Sequence, residues 1–258
     1  MTAPVLAVEG VEVRFGGLVA LAGLSFSVRE GEVTSLIGPN GAGKTTAFNV
    51  VTGFLPPARG AVRYKEHPLT GLRPSQIAER GVVRTFQKTS VFGGISVFEN
   101  ILIGLHRRGR ARTWEILMAL PRVRREERRL REEAMEVLSF VGLAHRRGEL
   151  GAALPYGEQR LLEVAVAMAA APSLLLLDEP VSGMNPAETA GFMAMVGKIR
   201  ERGITILLVE HDMRMVMGVS DRVVVLNQGR IIAEGPPGEI QRNPEVIRAY
   251  LGGRAGRA

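Results

Sequence analysis

Gly38-Pro39-Asn40-Gly41-Ala42-Gly43-Lys44-Thr45 constrains this chain more than any other segment. Two glycines with four residues between them, followed by Lys and Thr, form a phosphate-binding loop when an apolar strand precedes them and a helix follows. Both conditions are met, by the run Val33 to Ile37 and by a helical pattern from Gly43 to about Thr52, closed by Gly53. Glycines let the backbone curl until successive N–H groups face one anion, and the helix start adds the positive end of its dipole. Lys44 then reaches β and γ phosphates, and the Thr45 hydroxyl is placed to hold Mg²⁺. A chain built around such a loop is an α/β protein, with the loop at the carboxyl edge of its sheet.

A second segment points to the same edge. Leu174 to Leu177 is fully apolar and ends in Asp178-Glu179. If this strand lies beside Val33–Ile37, Asp178 completes a Mg²⁺ shell through water, and Glu179 orients or deprotonates an attacking water. A core strand ending in solvated acids is the plainer alternative. His211 follows a third apolar run, Ile204 to Val209, and lands on the same edge; taken alone, a histidine so placed is more often a capping or packing residue. Val223 to Leu226 supplies a further strand, and Phe192, Met195, Val196 and Ile199 mark a helix between strands. Alternating strand and helix is the pattern of a parallel sheet with crossovers.

The first 64 residues read differently. Val5 to Val13, Ser25 to Val28 and Ala61 to Tyr64 are strand-like, short and punctuated by turns at Gly16-Gly17 and Glu30-Gly31. From about Gln87 to Ala170 strand-like runs are few and arginines many. There Leu130, Ala134, Val137, Leu138 and Val141 share one helical face, and Arg128 with Glu132 and Arg129 with Glu133 pair at i,i+4. The expected organisation is a phosphate-binding α/β core of residues 1–86 plus 171–258, an inserted helical subdomain at 87–170, and a basic tail at 252–258. The apolar stretch Val164 to Leu177 is broken by Pro172 and falls short of the roughly 20 residues that cross a bilayer. No secretory signal is visible at the start. The 258 residues contain no cysteine, so thiolate metal sites and cysteine nucleophiles are excluded.

Several motifs now fall in one order: the phosphate loop, Gln87, Leu154-Pro155-Tyr156-Gly157-Glu158-Gln159-Arg160, Asp178-Glu179, Ser182 to Asn185, and His211. Together they resemble the ATP-binding subunit of ABC transporters over nearly the whole chain. The resemblance implies a P-loop NTPase core of mixed and parallel sheet, an N-terminal antiparallel β-subdomain and an inserted α-helical subdomain. It implies that Phe15 stacks on adenine, that Gly38, Pro39, Asn40, Gly41, Ala42, Gly43, Lys44, Thr45 and Thr46 hold the phosphates, and that Gln87 contacts Mg²⁺ and the attacking water. His211 resembles the switch histidine on the γ-phosphate. Leu154, Pro155, Tyr156, Gly157 and Glu158 resemble the signature that reaches across a dimer to the partner's nucleotide.

Two motifs depart from the family pattern, at three positions. Pro155 and Tyr156 replace a serine and a glycine of the usual signature, and Asn185 stands where an Asp is usual. With Phe15-Gly16-Gly17, Arg84-Thr85-Phe86-Gln87, Gly183-Met184-Asn185-Pro186 and Val209-Glu210-His211-Asp212, these departures resemble the branched-chain amino-acid importer ATPases of bacteria. That resemblance implies ATP and Mg²⁺ as ligands, and a cytoplasmic-face location. It also implies an unlike second ATP-binding subunit (a homodimer in isolation), two membrane-spanning permease subunits and an extracytoplasmic binding protein.

The net charge of +7 admits a nucleic-acid-handling ATPase as a rival, but coiled-coil insertions, zinc modules and second cassettes, usual in those relatives, are missing from the sequence. No nucleic-acid partner is expected. A P-loop GTPase or kinase would leave the signature-like segment and the Asp-Glu pair followed by His unexplained. The arginine-rich stretch His106 to Arg147 reads either as a solvated face laced with acids or as a basic surface beside anionic lipid. Gly104 to Arg122, with the single Trp114, carries no usable motif.

Overall fold

The computed structural model describes residues 4–85, 91–106 and 121–252. Gln87, Trp114 with most of the 104–122 stretch, and the tail from 253 lie outside the described residues. The chain forms two compact units, one of Met1–Arg84 with Ser173–Ala258 and one of Thr85–Pro172.

The first unit holds two sheets. In the four-stranded one, β1 (Pro4–Phe15) lies between β2 (Leu18–Arg29) and β4 (Arg59–Tyr64), with β5 (His67–Pro68) at the edge, all antiparallel. Leu6, Val8, Val11 and Val13 of β1 and Leu21, Leu24, Phe26 and Val28 of β2 face the core. The β1–β2 hairpin turns at Gly16-Gly17, where Gly16 has φ +58°, as a tight turn requires. Both strands run further than the sequence reading: Ser25–Val28 is the end of a twelve-residue strand. Register shifts around Val8/Val11 and Val11/Glu12 explain why, since each bulge interrupts the alternation on which strand recognition rests.

The six-stranded sheet runs β10-β9-β3-β8-β7-β6, using β3 (Val33–Ile37), β6 (Val82–Arg84), β7 (Leu174–Asp178), β8 (Thr205–Val209), β9 (Arg222–Asn227) and β10 (Arg230–Gly235). β3 is parallel to both β8 and β9, β7 is parallel to β8 and β6, and only β10 is antiparallel. All residues of β3, β7 and β8 are buried; Leu174–Leu177 and Ile206–Val209 read as apolar runs for that reason, and β3 buries Thr34 and Ser35 between its apolar ends. The carboxyl ends of β3, β7 and β8 therefore share one edge. Ile204, included in the sequence reading of β8, lies outside it. Three-residue β6 is too short for any periodicity to reveal.

Helix α1 (Lys44–Val51) follows β3, α2 (Pro74–Glu79) precedes β6, α6 (Pro186–Glu201) links β7 to β8, and α7 (Met213–Val219) links β8 to β9. α8 (Pro237–Ile240) and α9 (Pro244–Gly252) end the described chain. Helix α6 buries Phe192, Met195, Val196 and Ile199, as the spacing predicts. Asn185 caps it: its side chain accepts from the amides of Ala187 (2.9 Å) and Glu188 (3.0 Å), while Glu188 accepts from the Asn185 amide (2.8 Å). An Asn at this position thus closes a capping box. Asn185→Ala is expected to cost about 1 kcal/mol in chemical denaturation, and Asn185→Asp little.

The second unit is helical: α3 (Val97–Leu105), α4 (Pro121–Val141) and α5 (Tyr156–Ala169). Ser96 and Glu99 form a capping box at the start of α3. α4 buries Val123, Ala134, Leu138 and Val141 and exposes a charged face on which Arg129 pairs with Glu133 at 3.6 Å. Among the described residues no helix is long and apolar enough to cross a membrane.

Candidate functional site

Between β3 and α1 the loop turns on glycines that no other residue could replace without strain. Gly38, Gly41 and Gly43 have φ of +153°, +79° and +106°. A Cβ on Gly38 would strike the Leu226 carbonyl, and one on Gly43 would lie 2.8 Å from the Ala20 carbonyl. The helix starts at Lys44, one residue later than the sequence reading, because Gly43 is its left-handed N-cap. Amides of the first helical turn have no intrahelical acceptor. Lys44 Nζ donates to the carbonyls of Gly38 (2.7 Å) and Pro39 (3.0 Å), folding the loop around a cation. Burial holds the Lys44 ammonium below the ordinary lysine range, while the nearby Glu179 and Asp178 carboxylates pull it back up.

A cavity of about 690 Å³ opens above this loop. Of the residues singled out in the sequence, Phe15, Asn40, Gly41, Ala42, Gly43, Lys44, Thr45, Thr46 and Glu179 line it. Phe15 ends β1 with half its surface exposed, so the hairpin presents an aromatic face to a cavity whose floor is built for phosphate. Glu179 has φ +47°, an uncommon conformation for a non-glycine residue, and its amide donates to the Val209 carbonyl at 2.8 Å. The chain leaving β7 thus turns the Glu179 carboxylate into the cavity.

Other candidates sit apart from this lining. Gly38 and Pro39 form the base of the loop under Lys44. Asp178 is fully buried at the end of β7 and bound by Arg84 at 2.6 Å. His211 follows β8 as expected, but its side chain is 57% exposed and does not line the cavity. Gln87 falls outside the described residues.

The signature-like segment opens α5 in the second unit. Pro155 is the N-cap and makes no side-chain cap bond; Leu154 and Gly157 are buried. The Tyr156 hydroxyl accepts from Arg160 Nε (3.0 Å) and Nη2 (2.7 Å), and Arg160 Nη1 donates to Glu163 at 2.8 Å. Glu158 pairs with Arg146 at 3.0 Å. The tyrosine that replaces a signature glycine therefore anchors a partly buried arginine one turn further along the helix.

Residues 21–182 match the model of the ABC transporter family. The chain belongs to that family. Residues 230–256 match a second model, of the branched-chain amino acid ATP-binding cassette transporter, and cover β10, α8 and α9. Among relatives of this ABC protein is the high-affinity branched-chain amino acid transport ATP-binding protein LivG of Salmonella typhimurium. It is 46% identical over 98% of this chain and 99% of its own length. BraF of Pseudomonas aeruginosa, with the same description, is 45% identical over 98% of this chain and 99% of its own. An ATP-binding cassette of an ABC transporter, solved in its ADP conformation, superimposes with a TM-score of 0.86 at 33% identity, covering 97% of this chain and 100% of that one. The α/β architecture here is that of an ABC ATPase cassette, as the resemblance implied.

Two features of the ABC core escaped the sequence. Arg84, quoted only as part of a motif, binds Asp178; its partner lies 94 residues away, so no local pattern could signal the pair. Behind the phosphate loop, Arg248 and Ala249 of α9 line a cavity of about 390 Å³ together with Pro39 to Ala42. Next to them, burial pushes the Tyr250 phenol up to about 12, with the Gly38 backbone opposing.

Proposed function

We propose that the chain is the ATP-hydrolysing subunit of an importer for branched-chain amino acids, working at the cytoplasmic face of a membrane. One observation carries the nucleotide half of this reading: β1, the loop after β3 and the end of β7 bring Phe15, Lys44, Thr45 and Glu179 into one cavity. The family match and full-length relatives at 44–46% identity support the importer half.

Phe15 stacks on the adenine, and the loop amides with Lys44 take the β and γ phosphates. The oxygen donors at hand fit Mg²⁺: the Thr45 hydroxyl lines the cavity, and the Asp178 carboxylate lies close enough to act on Lys44. One hydroxyl and one carboxylate make an incomplete shell, which suits an ion that keeps waters and arrives with substrate phosphates. Thr45, Asp178 and Gln87 would hold it, and when bound it offsets phosphate charge. Glu179 directs the attacking water and takes its proton, and His211 contacts the γ-phosphate.

The signature segment, Leu154 to Glu158, covers the nucleotide of a second ATP-binding subunit, so one chain alone is catalytically incomplete. ATP closes the pair and hydrolysis reopens it, moving helical units 85–172 docked on two permease subunits served by a binding protein outside.

Equilibrium titration with a fluorescent ATP analogue tests the site. ATP and ADP are expected to displace it, and AMP to compete about a hundredfold more weakly, because the loop grips phosphates beyond the first. Equal competition by AMP would remove the loop from the binding mode. For the importer half, the chain is to be co-purified with its membrane partners and the complex assayed for ATP-dependent leucine uptake into vesicles. Uptake of another solute class in place of leucine, isoleucine and valine overturns that assignment.

A further inference from the structure

Arg84 ends edge strand β6, and its side chain is 8% exposed; Asp178, which ends β7, is 0% exposed. Guanidinium Nη2 donates to Asp178 Oδ2 at 2.6 Å, and Nη1 donates to Asn49 Oδ1 at 2.7 Å and lies 3.4 Å from Thr52 Oγ1. Asn49 belongs to α1, and Thr52 is its C-cap. One arginine thus ties the end of β7 to the helix that begins with Lys44 and Thr45. Its guanidinium also lies 5.5 Å from the Phe48 ring centroid.

Packing alone does not call for this arrangement. A buried ion pair is a poor source of stability, because desolvating both charges offsets their attraction, and apolar residues of equal volume serve as well or better. What the pair does provide is charge balance beside a phosphate site. Asp178 is near enough to Lys44 to raise its basicity. An uncompensated carboxylate there would repel a triphosphate held by that lysine.

We infer that Arg84 is a positioning residue of the phosphate site: it neutralises Asp178 and fixes it against α1, so that Lys44 grips a triphosphate before any divalent cation offsets the carboxylate. The inference rests on the nucleotide reading above. Its consequence is a signed difference between two conditions. With Arg84 removed, Asp178 repels metal-free nucleotide and attracts Mg²⁺, so dependence of affinity on the metal rises.

The test measures affinity for a fluorescent ATP analogue by the full chain, in EDTA and in Mg²⁺. Arg84→Gln is expected to weaken binding about tenfold in EDTA and less than about twofold in Mg²⁺. Arg84→Lys, which keeps the charge, is expected to stay near wild type in both, and the double variant R84Q/D178N to regain wild-type affinity in EDTA. A purely structural arginine would lower both affinities in proportion, and an unchanged ratio between the two buffers overturns the inference.

If R84Q does not fold, the double variant decides. A folded R84Q/D178N with wild-type affinity in EDTA supports charge balance, and an unfolded one assigns Arg84 to packing and overturns it. A wild-type chain that binds no nucleotide in either buffer brings down the nucleotide reading and this inference together, whereas wild-type binding with an unchanged ratio brings down the inference alone.

Discussion

Glu179→Gln is expected to bind ATP and keep it. The side chain lines the cavity with Lys44 and Thr45, on a backbone held at φ +47° where β7 turns away from the sheet. Glutamine has the same shape but cannot take a proton from water, so binding survives while the chemical step loses its base. Turnover should fall by about 10²–10⁴-fold, the usual contribution of a positioned general base. ATP affinity should change by less than about threefold, since no phosphate contact is lost. The readout is phosphate release alongside light scattering of the eluted species: trapped ATP holds two chains together, and scattering should report a dimer only with ATP present. Wild-type turnover in this variant would show that Glu179 does not direct water.

Lys44→Ala acts on binding itself. The ammonium is partly desolvated and donates to two loop carbonyls, so removing it deletes a phosphate partner and the tie that closes the loop. Charge-assisted hydrogen bonds of this kind are worth about 1.5–3 kcal/mol each, and the loss should approach a hundredfold in affinity for ATP and ADP. Adenosine, which uses the Phe15 wall of the cavity but not the loop, separates this from unfolding. Its weak binding should persist in Lys44→Ala and disappear in Phe15→Ala. Unaltered ATP affinity and turnover in Lys44→Ala would end the nucleotide reading.

The parts legible in the sequence were those whose cause is local. β3 carries five buried residues in a row, and the loop after it follows a fixed spacing, so both were readable to within a residue. The same holds for β7; of the apolar face of α4, Ala134, Leu138 and Val141 were readable and are buried, whereas Leu130 and Val137 are half-buried and the buried Val123 was missed. Elements set by tertiary context were hidden. β6 has three residues and exists because it pairs with β7. β10 depends on pairing with β9 after the Gln228-Gly229 turn. At the site, residue types pointed to Lys44, Thr45, Asp178 and Glu179, but the left-handed turn at Glu179 and the guanidinium on Asp178 are consequences of folding. His211 was placed by its sheet edge alone: its strand delivers it to that end, where its side chain stands largely in solvent.

The strand beneath the phosphate loop has neighbours from the far end of the gene. Residues 33–37 are bracketed by residues 205–209 on one side and 222–227 on the other. During synthesis the loop leaves the ribosome early, yet its supporting strand has no partner until some 170 further residues have been made, and such distant pairings form late. A polypeptide terminated before residue 205 would contain the complete glycine motif and lack both flanking strands. Its unpaired strand edges would invite aggregation, and ligand grip would be acquired only as the last fifth of translation closes the sheet.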